Sequence, residues 1–232
     1  NTNQIVGTGS SGHVILSTNS GAAWQVLQQG YSNRVTDIQF INQQTGWAAN
    51  SSDKLLYTTN NGANWSPSVS SGLVNAEQLY FLNSSTGFTA GISGSFMSGA
   101  SIASVAKTTN GGINWVVTQF PDNGSAYKLQ FVNATDGFVL IRTSSPVYKI
   151  YKTSNAGTGW NVVYTTSELM NDIYFTTQLN GWMVGESGKI YKTTNGGTNW
   201  SLQTTGVSDQ LLAVFFSNNN FGWACGFNGR IL

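Results

Sequence analysis

Few side chains in this 232-residue chain could do chemistry: nine acids, ten lysines and arginines, His13 and Cys225. Cleavage of a glycosidic bond by two carboxylates would draw on Asp37, Asp172, Asp209 and Glu186, whose separation the sequence does not set. One His and one Cys cannot make a His/Cys metal cluster, and no Asp-x-Asp-x-Asp calcium loop occurs, so neither a metal nor another cofactor is expected. The pairs Gly111-Gly112 and Gly196-Gly197 lie between strand-like segments, not ahead of a helix, and read as turn glycines, not a phosphate loop. With a single cysteine no internal disulfide forms, and packing must hold the fold.

The elements that position these residues come from an internal repeat. Five segments share the frame [S/T]-x-N-x-G-x-x-W: Ser17 to Trp24, Thr58 to Trp65, Thr108 to Trp115, Thr153 to Trp160 and Thr193 to Trp200. Their turn positions are Asn19, Gly21 and Trp24; Asn60, Gly62 and Trp65; Asn110, Gly112 and Trp115; Asn155, Gly157 and Trp160; and Asn195, Gly197 and Trp200. A second signature is phased with the first: Phe40, Phe81, Phe131, Phe175 and Phe216 each stand six residues before a Gly-Trp or Gly-Phe pair. From box Trp to the next Phe the interval is 16, 16, 16, 15 and 16 residues.

Each repeat reads as four short strands punctuated by Gly and Asn, and no segment carries a helical period. A four-stranded unit recurring every ~40–50 residues predicts an all-β propeller of antiparallel blades. Four whole blades are expected between two incomplete ones, as one domain or a fragment of one over 1–232. The approximate repeats are 1–30 (partial), 31–70, 71–120, 121–166, 167–205 and 206–232 (partial). A chain that begins at Asn1 inside a blade reads as cut from a longer polypeptide.

The frame resembles the Asp box, or BNR repeat, of sialidases and of sortilin-type and xyloglucanase-type propellers. With Gly188-Lys-Ile-Tyr-Lys-Thr-Thr-Asn-Gly-Gly197 and the Gly-Trp pairs, it is most similar to bacterial proteins of the photosystem II stability-factor type. The resemblance covers essentially the whole chain and implies the fold; the same repeat serves enzymes, receptors and assembly factors. Asn replaces the family's Asp at all five box positions, and its side-chain oxygen can still accept backbone N–H bonds across the turn.

Sialidase-like chemistry would need an arginine triad, but Arg34, Arg142 and Arg230 fall in different parts of the blade and no Arg-Ile-Pro precedes the first box. The arginine-rich patch of the photosystem factors has no counterpart either. No catalytic residue is assigned.

Ligand-face candidates are Arg34, Asp37, Glu77, Lys128, Asp172 and Asp209 near the start of the first strands, with Phe96 and Met97 in an insertion. The insertions lie near 91–105 and 141–148, and variable loops on a rigid scaffold are common recognition sites. All eight tryptophans belong to the repeat, which predicts core and inter-blade packing, not sugar platforms. The sequons at Asn50, Asn64, Asn83, Asn123, Asn133 and Asn199 follow from composition.

Only 8% of residues are charged, the net charge is +1, and no basic cluster offers a nucleic-acid surface. No apolar run nears the ~18–20 residues of a membrane span, so membrane insertion is not expected. The reading is a non-catalytic, secreted or cell-surface bacterial module that binds another protein or copies of itself. The alternative is a carbohydrate-binding or divergent glycosidase propeller.

Overall fold

The computed structural model describes residues 5–8, 13–28, 34–52, 54–94, 101–145 and 147–232. Phe96 and Met97 lie outside them. The chain divides into two compact units, 1–127 and 128–232.

In the first unit, β1 (Ile5–Thr8), β2 (Val14–Ser17) and β3 (Gln25–Gln28) form a three-stranded sheet. β4 (Val35–Phe40), β5 (Gly46–Asn50), β6 (Lys54–Thr58) and β7 (Ser66–Ser70) form a complete antiparallel blade. β8 (Asn75–Phe81), β9 (Gly87–Ser93) and β10 (Ile102–Thr108) follow, completed by the first part of β11 (Val116–Phe131). Four short strands separated by turns are expected from the sequence, but β11 runs without a break through the boundary between the units. It serves one blade as fourth strand and the next as first.

In the second unit, β12 (Gly137–Thr143), β13 (Tyr148–Thr153) and β14 (Asn161–Thr166) complete that next blade. β15 (Met170–Phe175), β16 (Gly181–Gly185), β17 (Ile190–Thr193) and β18 (Ser201–Gln203) make another. β19 (Leu211–Phe216) and β20 (Gly222–Gly226) pair alone, with Ile231 bridging Cys225. The insertions are spent partly on strand: β9, β10 and β12 each reach seven residues, against five in β5 and β16.

The six-residue Phe-to-Gly interval has a steric cause. Phe40 pairs across the ladder with Gly46, Phe81 with Gly87, Phe175 with Gly181 and Phe216 with Gly222. The Phe ring lies over the glycine so closely that an added Cβ would meet it at 2.4–2.9 Å in each of these pairs. Between Phe and Gly a polar side chain closes the turn: Asn83 Oδ1 accepts from the Ser85 and Thr86 N–H groups at 2.9 and 2.8 Å. Asn42, Asn133, Thr177 and Asn218 repeat this device, which explains why two of the sequon asparagines recur at one phase.

The aromatic residue after that glycine carries the packing between blades. Trp47 stacks on Phe81 with centroids 5.1 Å apart, Phe138 on Phe175 at 3.5 Å, and Trp182 on Phe216 at 3.7 Å. Four of the box tryptophans instead meet the Phe of their own first strand edge-on: Trp65 meets Phe40, Trp115 Phe81, Trp160 Phe131 and Trp200 Phe175. Burial of such rings stabilises by ~2–3 kcal/mol each.

Trp24 and Trp223 depart from the expected core role, at 47% and 53% exposed. Among the described residues Trp24 has no first-strand Phe in its sheet, and no further blade covers Trp223. Phe120 and Tyr148, which the repeat pattern does not place, are both buried.

Candidate functional site

The box turns share one geometry. Asn60 Oδ1 accepts from the Asn64 N–H at 3.0 Å and from the Thr58 hydroxyl at 3.0 Å, while Thr58 Oγ1 accepts from the Gly62 N–H at 2.9 Å. The corresponding bonds occur at Asn19, Asn110, Asn155 and Asn195. The bonds made to Asn are ones that a neutral amide oxygen can accept, so replacement of the carboxylate leaves none of them unmade.

The first-strand candidates are not a free ring of charge. Asp37 Oδ2 accepts from the Leu79 N–H at 3.0 Å, in the first strand of the following blade, and Asp172 Oδ2 does the same with Val214 at 2.9 Å. Both stand three residues before the strand Phe. Lys128, at the same register one blade earlier, places its ammonium 3.1 Å from Asp172 Oδ1. Burial pushes the Asp172 carboxyl above the usual carboxylate range, opposed by the Lys128 charge and the bonds it accepts.

Glutamines one residue before the Phe add to these struts. Gln39 donates to the Phe81 carbonyl at 3.0 Å and accepts from the Phe81 N–H at 2.7 Å. Gln130 holds Phe175 identically, at 2.9 and 2.7 Å. These side chains imitate a strand ladder where two blades meet.

Of the remaining candidates, Arg34 is exposed and its carbonyl accepts from the Ser51 N–H. Glu77 accepts from Asn75 Nδ2 at 2.6 Å. Asp209 is bound by Arg230, Nη2 at 2.7 Å and Nε at 2.8 Å, and by Asn228. Asn228 first and Arg230 second hold its carboxyl below the usual range.

A cluster that the sequence reading missed lies in the second unit. Glu168 pairs with Lys189 at 2.9 Å and accepts a hydrogen bond from the Tyr191 hydroxyl. That hydroxyl, followed by Lys189, draws the carboxyl below its usual range. Burial, then the Glu168 bond, pushes the Tyr191 phenol up to about 12. A weakened base beside a phenol that resists ionisation is poorly suited to nucleophilic attack, and the trio serves better as a latch. Its signal was in the repeat: Glu168 and Asp209 each stand seven residues before the strand Phe, and Lys189 and Arg230 each follow the glycine of the second turn.

Among the described residues, one open groove in each unit lies beside an outer strand. The first, about 360 Å³, is lined by Trp47, Tyr57, Pro67, Val69 and the box turn from Gly111 to Ile113. Tyr57 is tilted against Trp47 with centroids 5.5 Å apart. At the Tyr57 register the other complete blades carry Lys107, Lys152 and Lys192, each over the ring of Phe88, Phe138 or Trp182. The second groove, about 390 Å³, is mixed in character, lined by Asp136, Lys152, Ser154, Asn161 and Gln178 together with Val163 and Leu179. Among the described residues no group of three or more His, Cys, Asp and Glu could hold a metal ion.

No protein-family model and no curated protein sequence matches the chain. Solved structures do. A structure of YCF48 bound to D1 peptide is 15% identical, with a TM-score of 0.54 over 100% of this chain and 89% of that one. An ancestral GH74 enzyme is 16% identical with a TM-score of 0.75, over 99% of this chain. The GH74 xyloglucanase from Xanthomonas campestris is 10% identical with a TM-score of 0.68, over 97% of this chain. This chain spans 34% and 41% of those two enzymes. At these identities the likeness shows the fold: the chain has a β-propeller fold similar to photosystem II factor and glycosidase propellers.

Proposed function

We propose that the chain is a non-catalytic module of a larger secreted or cell-surface bacterial protein, binding another protein or copies of itself. The observation that carries this reading is the commitment of Asp37, Lys128, Asp172, Glu168 and Asp209 to contacts within the fold. The likeness to YCF48, seen bound to a peptide, supports a protein partner. The sparse charge of the chain suits an extracellular surface.

The Trp47–Tyr57 groove fits an apolar stretch of polypeptide beside the outer strand β7. Binding to an immobilised peptide array, weakened at least ~10-fold by Tyr57→Ala, is the expected result. Turnover on a panel of sialosides and xyloglucan would refute the non-catalytic reading. A second reading rests on the second groove, where Asp136, Asn161 and Gln178 offer the planar hydrogen-bonding groups that suit sugar hydroxyls. A glycan array whose signal disappears in Asn161→Ala would favour it.

A further inference from the structure

We propose that the Trp47–Tyr57 groove holds a lysine side chain supplied by a partner polypeptide. This names the group that the groove recognises and rests on the reading of the chain as a protein-binding module.

The other complete blades supply the pattern. Immediately before the box Thr stand Lys107, Lys152 and Lys192, each paired across the ladder with Phe88, Phe138 or Trp182. Their ammonium groups lie 5.4–5.5 Å from the centroids of those rings. Lys152 shows what else such an ammonium does. It donates to the Gln178 carbonyl at 3.2 Å, in the first turn of the following blade, and lies 2.8 Å from the place where a Cβ on Gly196 would stand. A lysine of the chain itself thus closes the wedge between the third strand of one blade and the turns of the next.

In the β4–β7 blade the receiving half of this wedge is built, but the register of the lysine is taken by Tyr57, paired with Trp47. The Gly111 N–H donates to the Ser85 carbonyl at 2.8 Å, as the Gly196 N–H donates to the Leu179 carbonyl at 2.9 Å. The Ser84 carbonyl oxygen lies 2.9 Å from the place of a Cβ on Gly111, and that of Gln178 lies 2.9 Å from the place of a Cβ on Gly196. Ser84 and Gln178 each follow the strand Phe by three residues. The carbonyl that corresponds to the one bound by Lys152 is therefore in position, and no charged side chain lines the groove beside it.

An entering lysine meets three complementary features. Its ammonium can donate to the Ser84 carbonyl, as Lys152 donates to Gln178. The Trp47–Tyr57 pair, with centroids 5.5 Å apart, offers electron-rich rings that attract the same charge. The methylene stem can lie along Pro67, Val69 and Ile113, which line the groove. A carboxylate would face the same carbonyl oxygen and the same rings, and both would repel it. The planar fork of an arginine has five donors to satisfy and fits a single carbonyl less well.

The test is a fluorescence-polarisation titration, up to about 1 mM protein, with a labelled five-residue peptide carrying one lysine between two valines. Its counterparts carry norleucine, N-acetyllysine or glutamate at the centre. The lysine peptide should bind at least ~10-fold more tightly than each counterpart. Tyr57→Lys gives this blade the residue that the other complete blades carry, so that the chain's own ammonium fills the groove. It should weaken binding of the lysine peptide at least ~10-fold. Leu202→Lys, which adds the same charge at an exposed position in the other unit, should leave it intact. Melting curves establish that both variants are folded. A norleucine peptide bound as tightly as the lysine peptide overturns the proposal while the reading of an apolar polypeptide partner stands. Binding that Tyr57→Lys does not weaken overturns it as well, and so does a chain that binds none of the four peptides. Glycan turnover would refute the non-catalytic reading whatever the peptides do, so the two failures are distinguishable.

Discussion

Truncating Gln130 to alanine tests whether the glutamine struts hold blades together. The side chain makes two hydrogen bonds to the main chain of Phe175, at 2.9 and 2.7 Å, and the Phe175 side chain is almost fully buried. Each neutral bond contributes ~1 kcal/mol net, and an N–H or C=O left unpaired where water enters poorly costs ~1–3 kcal/mol. The site is partly buried, so the low end applies, and Gln130→Ala should cost about 2–4 kcal/mol. Gln39→Ala is an independent replicate in the other unit, since Gln39 makes the same two bonds to Phe81. Gln130→Glu keeps the acceptor for the Phe175 N–H but turns a carboxylate oxygen toward the carbonyl, and should be no better than alanine. Urea titration would show a lower midpoint at unchanged slope, and melting should fall by about 5–10 °C. Shifts below about 0.5 kcal/mol in both alanine variants would refute the reasoning, because a strut that water replaces so easily does not hold the blades.

Lys128→Met should cost about 2–4 kcal/mol at pH 7, less than for a fully buried pair because Lys128 keeps 28% exposure. Burial already holds the Asp172 pKa above its usual 3.8, so the folded state takes up that proton more readily than the unfolded one. The Lys128→Met penalty should therefore shrink as pH falls from 7 toward 4, as melting curves at several pH values would reveal. Glu168 has the opposite sign: its lowered pKa means that its contribution is complete above 4.5 and is lost as pH falls through the lowered value. Glu168→Gln should flatten that acid limb while costing under about 1 kcal/mol at pH 7, since both partners are about a third exposed. Gly185→Ala, whose Cβ would lie 2.0 Å from the Leu169 carbonyl oxygen, should lose at least about 2 kcal/mol by urea titration. Asn195→Asp should be nearly neutral in the same assay and Asn195→Ala should cost about 1–2 kcal/mol, because only the acceptor matters to the turn.

The blade was legible because its determinants lie within one repeat. The Phe-to-Gly interval is a cross-strand contact, and the Asn of the box closes a turn of eight residues, so both leave a local pattern. The struts were not legible as such. Asp37 and Asp172 read as ligand-face candidates because their partners, the Leu79 and Val214 amides, stand 42 residues away and belong to backbone, which carries no residue signature. Gln39 and Gln130 were passed over for the same reason. The unbroken β11 was hidden by Pro121 and Gly124, which usually punctuate a strand but here lie within one. The end tryptophans were misjudged because their exposure depends on neighbours, not on their own repeat.

A strut that reaches for main chain asks nothing of the side chains on the receiving strand. Gln130 would find the same N–H and C=O on any residue but proline in the place of Phe175, as Asp172 would find the same amide in the place of Val214. Copying or exchanging one blade in the gene therefore keeps the struts without a matched change in the receiving side chains, although the ring stacks, such as Phe138 on Phe175, still call for an aromatic residue there.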